Sequence, residues 1–321
     1  MATRMGVHRH DHRWADRSPG AMQGWGEELQ GFGRRFRAVD PTRLTRHERL
    51  DLKWALAVLD YALVNQELGL WQRSPQTALQ DVGTGLHSLL IGEFAPLEAR
   101  LESLLARLHG IPSFLETARS SLRPDSTPSV WIDSSLPQAK GIQQFIAEEI
   151  PKAAEQVPAL AGEVARACER AAQAAKRFER FLQDCSGAAQ GDFAIGQDRF
   201  ERILQRFHML DMDCDDLYEF GLEWIDRYER QLTEVAREID PDKSWATILE
   251  GIKDDHPQPA GLRQAYEDET MLARCHCLEH DLITFPEGET CVLEWTPMFM
   301  RARVPIALPR VSPAFEPGLA S

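Results

Sequence analysis

Three features are absent or scarce in this sequence of 321 residues, and each absence argues against a class of protein. No run of about 18 consecutive apolar residues occurs, so the sequence predicts no membrane-spanning helix. Basic residues number 36 and acidic residues 50, and the net charge of −14 argues against nucleic acids and anionic membranes as partners. The six cysteines lack the pattern of a disulfide-rich domain, so reduced thiols and a cytoplasmic location are expected.

The common motif of helical zinc peptidases is also missing. That motif places two histidines four residues apart on one helix face, with a glutamate between them as the general base. Among the ten histidines, only His276 and His280 have this spacing within a predicted helix. Glu279 lies between them in the inverted order H-x-x-E-H. A self-contained metal site at His276, Glu279 and His280 is therefore kept as the weaker alternative, with no metal ligands assigned to this chain.

Two further segments resemble ligand-binding motifs only superficially. Gly83-Thr84-Gly85 is glycine-rich, but no Gly-Lys-Ser/Thr follows it and no predicted strand precedes it, which argues against a phosphate-binding loop. The acidic segment 211–216 has alternating carboxylates, but it lacks the glycine and the final glutamate of a calcium loop. We predict instead that Asp213 or Asp215 caps a helix that runs to about residue 239.

Apolar residues recur at three- and four-residue intervals along most of the chain, and this pattern predicts a mostly α-helical fold. Predicted helices begin near Thr45, span 97–112 with an end at Pro112, and span 159–184 with an alanine-rich seam. The His- and Arg-rich segment 1–22 is predicted to be a flexible tail. The prolines and serines of 123–138 predict a loop within one helical domain over 23–317, followed by a short tail at 318–321.

Residues 290–296 follow a different pattern. Cys291, Leu293 and Trp295 alternate with Val292, Glu294 and Thr296, a period of two that predicts a short strand or hairpin between 290 and 303.

Several spaced segments resemble one known family in the same order along the chain. They are Ile195-Gly196, Leu217-Tyr218-Glu219-Phe220-Gly221, Ala236-Arg237-Glu238-Ile239 and Glu294-Trp295-Thr296-Pro297-Met298-Phe299-Met300-Arg301. Over roughly 41–317 the sequence resembles the amino-terminal half of the bacterial domain-of-unknown-function 885 family, which is related to gluzincin-like metallopeptidases. The resemblance implies a helical metallopeptidase-like half-domain. The family's zinc motif, H-E-x-x-P-G-H, would follow this half and is absent from the present sequence.

The resemblance also implies a function that needs a second polypeptide. This chain would be the subunit without metal, and a companion chain would supply the zinc for hydrolysis of a small peptide-like substrate. The residues expected to face the cleft or the companion are Glu294, Trp295, Thr296, Phe299 and Arg301. The alternative is a catalytically inactive helical binding module, a pseudoenzyme that keeps the architecture without the chemistry.

Overall fold

The computed structural model describes residues 2–301, apart from the side chain of Met298, and its regular elements there are helical. The predicted mostly α fold is confirmed. The chain divides into two compact units, and each is described by itself. Unit 1 comprises Met1–Asp211 and Thr296–Ser321, whereas unit 2 comprises Met212–Trp295.

Unit 1 contains ten α-helices among its described residues. Their bounds are α1 Pro19–Arg37, α2 Arg46–Glu67, α3 Leu70–Arg73, α4 Pro75–Ile91, α5 Leu97–Ser121, α6 Ser129–Gln144, α7 Ile150–Ala154, α8 Pro158–Cys185, α9 Gln197–Arg202 and α13 Met298–Arg301. Wider π-helical turns extend α6 through Phe145–Glu149 and α9 through Ile203–Phe207. The predicted start of α2 is confirmed, because Thr45 and Glu48 form a reciprocal capping box at its first turn.

The core of unit 1 lies between α4, α5, α6 and α8. Helix α8 packs against both α5 and α6, and the short α13 packs against α6. The buried alanines of α8, Ala167, Ala171, Ala174 and Ala175, confirm the predicted seam. Small side chains at these positions let neighbouring helices approach closely.

Two predicted helix limits are wrong. Helix α5 continues through Pro112 to Ser121, because Leu108, Ile111 and Leu115 keep one apolar face buried on both sides of the proline. Burial of this face therefore outweighs the local preference of proline for a helix end. The predicted loop 123–138 is largely helical. Helix α6 begins directly after Pro128, and Pro137 lies within it.

The predicted flexible tail is also at variance with the structure. Residues 2–17 include two 3-10 turns, Thr3–Met5 and His8–His10, and pack against the helices of unit 1. Thr3 and Asp11 are buried, and the Trp14 indole N–H donates a hydrogen bond to the Arg107 carbonyl at 2.8 Å. The sequence did not predict this packing, because the segment makes its polar and aromatic contacts with residues far away in the sequence. Local periodicity does not reveal such contacts.

The predicted strand near the carboxyl end is not found among the described residues. Residues 290–297 have no regular secondary structure, and Met298–Arg301 forms a helical turn instead. A strand needs a partner to accept and donate its main-chain hydrogen bonds, and no described segment pairs with this one. Residues 302 and 303 of the predicted strand or hairpin, and the predicted tail 318–321, lie outside the described part of the chain.

Unit 2 contains three α-helices among its residues: α10 Cys214–Ile239, α11 Trp245–Ile252 and α12 Leu262–Glu279. The predicted cap of α10 is confirmed, because Asp213 and Asp216 form a reciprocal capping box. Ala236 is the one residue of this unit that is buried. Unit 2 therefore has long amphipathic helices but almost no core of its own.

The cysteines differ sharply in their surroundings, and this difference predicts a two-phase reaction with a thiol reagent. Burial raises the pKa of Cys168 to about 12, and burial together with Asp184 raises the pKa of Cys185. Cys275 and Cys291 are exposed. Because the thiolate is the reactive form, the exposed pair should react quickly at mildly alkaline pH, and Cys168 and Cys185 only after unfolding. Absorbance of the released thiol product measures both phases.

The double variant Cys275→Ser and Cys291→Ser provides the control, because it should lose the contribution of these two thiols to the fast phase without a change in helicity. Mass spectrometry that finds Cys168 labelled in the fast phase of the native protein would contradict this assignment.

Candidate functional site

The residues predicted to face a cleft or a companion do not share one environment. Phe299 is 2% exposed and belongs to the core of unit 1, so the described structure does not present its side chain to a cleft or a companion. Thr296 and Arg301 also belong to unit 1, where the Arg301 side chain donates to the Thr296 carbonyl at 2.8 Å. Glu294 and Trp295 are exposed residues of unit 2, and Trp295 is 58% exposed. Their predicted roles stay predictions.

The Phe299 ring fills a gap that a glycine leaves in α4. Its centroid lies 5.3 Å from that of Phe145 and 5.8 Å from that of His87. A Cβ atom at Gly83 would overlap the ring. The alternating pattern could not predict this contact, because the helical turn Met298–Arg301 changes the direction of the side chains.

The second glycine of the Gly83-Thr84-Gly85 segment receives a different aromatic residue. A Cβ atom at Gly85 would lie 2.5 Å from the Trp14 indole, and one at Gly110 of α5 would lie 2.8 Å from it. The segment that resembles a phosphate loop is therefore the middle of α4, where two glycines accept Phe299 and Trp14. Its glycines serve close packing.

A buried polar network lies beside Trp14. The Arg107 guanidinium donates to the Gly85 carbonyl and to the Thr3 hydroxyl, the latter at 2.8 Å. Thr3 in turn donates to Asp11 at 2.5 Å, and the other Asp11 oxygen lies 2.8 Å from His8 Nδ1. Burial lowers the pKa of Arg107, whereas the nearby Asp11 acts in the opposite direction. The network holds residues 2–17 on unit 1.

Sequence reasoning missed this network, although one signal was present. Arg100 and Arg107 occur seven residues apart among the leucines of α5 and therefore share its buried face. An arginine at a core position needs acceptors, and Arg100 finds them in the carbonyls of Leu89, Leu90 and Ala95.

The histidine pair of α12 provides no metal centre in the described structure. The ring centroids of His276 and His280 lie 4.4 Å apart. Across residues 2–301, no three His, Cys, Asp or Glu side chains are placed so that they could share a metal ion. The alternative site at His276, Glu279 and His280 therefore gains no support from the arrangement of these side chains.

One face of α10 carries exposed apolar side chains along its whole length in the described structure. Its residues repeat with heptad spacing at two positions: Tyr218, Ile225, Leu232 and Ile239 at the first, and Gly221, Tyr228 and Val235 at the second. The side chains of Tyr218, Ile225 and Ile239 are 65%, 58% and 62% exposed. This set, here called the α10 heptad face, has the pattern by which one helix packs along another. No helix in residues 2–301 is both long and apolar enough to cross a lipid bilayer.

Residues 2–301 thus form a helical protein in which the α10 heptad face is exposed. The chain belongs to the family described as "Bacterial protein of unknown function (DUF885)", whose model matches residues 1–313. The predicted family membership is thus confirmed.

One solved structure extends this comparison. It is described as "a putative lipoprotein of unknown function from Shewanella oneidensis", and it matches with a TM-score of 0.68 and 16% sequence identity. The match covers 92% of this chain and 57% of that one, so the present chain spans little more than half the length of its relative. At this identity the likeness shows a shared fold alone. No curated protein matches the sequence.

Proposed function

We propose that this chain is the subunit without metal of a zinc metallohydrolase with a peptidase-like reaction, and that a companion chain carries the zinc motif. The zinc chemistry of the proposal comes from the family resemblance. Its partner-binding part rests on one observation, the uncovered α10 heptad face. Large contiguous apolar patches are unusual on monomeric proteins and commonly mark partner surfaces.

The shape of the face favours a helix as its occupant. Three heptad repeats present a narrow stripe of Tyr, Ile, Leu and Val side chains, and such a stripe fits the apolar stripe of a second helix. Glu229 and Glu238 flank this stripe. Their charge favours a companion helix with Lys or Arg beside its own apolar residues. The greater length of the solved relative supports an origin of this helix in further polypeptide of the family.

The division of roles follows from these features. This chain supplies a rigid helical framework in unit 1 and the docking face in unit 2. The companion supplies zinc, a general base and the donors that stabilise the reacting oxygen. Glu294, Trp295, Thr296 and Arg301 remain the residues proposed to line the cleft for a small peptide-like substrate, and we propose a cytoplasmic location.

A second candidate function needs no zinc. As a catalytically inactive binding module, the chain would use the same α10 heptad face to hold a helical partner. Exposure of the face supports both proposals equally, so the experiment must measure metal and hydrolysis as well as binding.

The proposal predicts that this chain forms a stoichiometric complex with a companion chain and not a complex with a second copy of itself. The chain is produced with a companion that carries H-E-x-x-P-G-H, and the mixture is separated by gel filtration. We expect a one-to-one complex that contains about one zinc ion and cleaves a fluorogenic peptide that neither chain cleaves alone. Ile225→Asp with Leu232→Asp should weaken the complex more than tenfold, because each carboxylate would replace an apolar contact in the interface.

The matched control is Arg237→Asp, which introduces the same side chain on the opposite side of α10 and should leave the complex intact. A complex without zinc or hydrolysis would support the binding module. A dimer of this chain that Ile225→Asp with Leu232→Asp disrupts would identify a second copy as the occupant. A chain that stays monomeric and elutes separately from the companion would exclude the subunit proposal.

A further inference from the structure

An open groove lies between α1 and the end of α2 in unit 1. Its volume is about 720 Å³, a size typical of small-molecule sites. Gln23, Glu27 and Gln30 recur at four- and three-residue steps and therefore lie on one face of α1. The opposite wall and floor are formed by Gln66, Glu67, Gly69, Trp71 and Gln72.

Several of these groups are held in place before any ligand binds. The Gln66 side-chain amide donates to the Met22 carbonyl at 2.7 Å, and the absence of a side chain at Gly26 leaves room for it. Glu67 accepts a hydrogen bond from Arg202 at 2.8 Å. Gly69 adopts a left-handed conformation with φ of 61°, which lets the chain turn sharply from α2 into the short helix that carries Trp71. Gln66 and Glu67 are thus fixed at the end of α2 and give this wall of the groove a defined shape.

The lining restricts the class of ligand. It has four glutamines, two glutamates and no lysine or arginine, so it offers little to a phosphate or carboxylate group. It also has no strand, so an extended peptide would find no main-chain edge to pair with. Many neutral donors and acceptors beside one indole instead suit a ligand with many hydroxyl groups and a flat apolar face.

We propose that this groove binds a neutral oligosaccharide. The Trp71 indole packs against the C–H face of one sugar ring. The amides of Gln23, Gln30 and Gln72 exchange hydrogen bonds with the hydroxyl groups, and the carboxylate of Glu27 accepts one. This site is distinct from the α10 heptad face and does not depend on a companion chain.

The test is calorimetric titration of the full chain with neutral hexasaccharides at millimolar concentrations, using cello-, chito- and malto-oligosaccharides as probes. We expect saturable binding of at least one probe. Trp71→Ala and the double variant Gln23→Ala with Gln30→Ala should each weaken it more than tenfold. Trp25→Ala is the matched control, because Trp25 is an exposed indole on α1 that does not line the groove.

The glutamine double variant guards against a loss of folding in Trp71→Ala, because Gln23 and Gln30 are exposed and their removal should leave the melting temperature unchanged. The proposal fails if none of the three probes binds at millimolar concentration. It also fails if binding survives in the glutamine variant, or if Trp25→Ala abolishes it. If short polar peptides bind to the same residues in competition with the probes, the ligand is a peptide and the oligosaccharide proposal is wrong.

Discussion

Phe299→Ala is expected to lower the free energy of unfolding of unit 1 by about 3–5 kcal/mol, the usual cost of removing a buried aromatic ring. The ring is 2% exposed and lies between α4 and α6, where it contacts Phe145 and His87. Its removal opens a cavity that the surrounding helices cannot fill with their own side chains. Urea denaturation followed by circular dichroism measures the loss.

A double-variant cycle with Gly83 identifies the cause. Gly83→Ala alone should destabilise, because its Cβ atom would overlap the Phe299 ring. In the Phe299→Ala background the same change should become neutral or stabilising, since alanine favours a helix interior over glycine by about 1 kcal/mol. Phe193→Ala is the surface control, because Phe193 is 66% exposed. If Gly83→Ala destabilises the protein in both backgrounds, overlap with the Phe299 ring is not the cause of its effect on stability.

Arg107→Ala should have a comparable effect, about 3–5 kcal/mol, because it leaves a buried carboxylate without its positive partner. The Arg107 side chain is 7% exposed, and Asp11 lies 4.0 Å away at 5% exposed. The same change removes the hydrogen bonds to Thr3 and to the Gly85 carbonyl. Urea denaturation measures the stability, and limited proteolysis measures the release of residues 2–17.

Two further variants distinguish the ion pair from the packing of the segment. Asp11→Asn in the Arg107→Ala background should recover part of the loss, because it removes the buried carboxylate charge that Arg107 had faced. Arg119→Ala, on the same helix, removes an exposed pair with Glu116 and should leave the stability almost unchanged, because solvent screens such a pair. If Arg107→Ala is as mild as Arg119→Ala, residues 2–17 do not depend on this network.

The sequence predicted those parts of the fold that depend on local chemistry. The Asp213 cap and the end of α10 near Ile239 follow from the preference of acidic side chains for helix starts and from regular periodicity. The continuation of α5 through Pro112 could not be predicted in this way. It depends on which face meets α8, and that is a property of the assembled core.

The candidate site was less predictable than the fold. Trp295 is exposed, whereas Phe299, four residues later, is buried because α13 packs against α6. The heptad spacing of Tyr218, Ile225, Leu232 and Ile239 is visible in the sequence, yet periodicity alone cannot tell a buried seam from an uncovered one. The groove beside Trp71 brings together two helices whose polar faces show no sign in the sequence that they would meet.

The contacts of the two glycines of α4 have a consequence for the order in which parts of the core can fold during synthesis. Trp14 leaves the ribosome early, so Gly85 can receive its indole as soon as α4 and α5 have been synthesised. Phe299 is translated far later, so the ring that fills the gap at Gly83 beside Phe145 arrives only after most of the chain has been made. Domains generally fold as their chains emerge, from the amino terminus onwards. We therefore expect the core of unit 1 to be completed only after Phe299 has been synthesised.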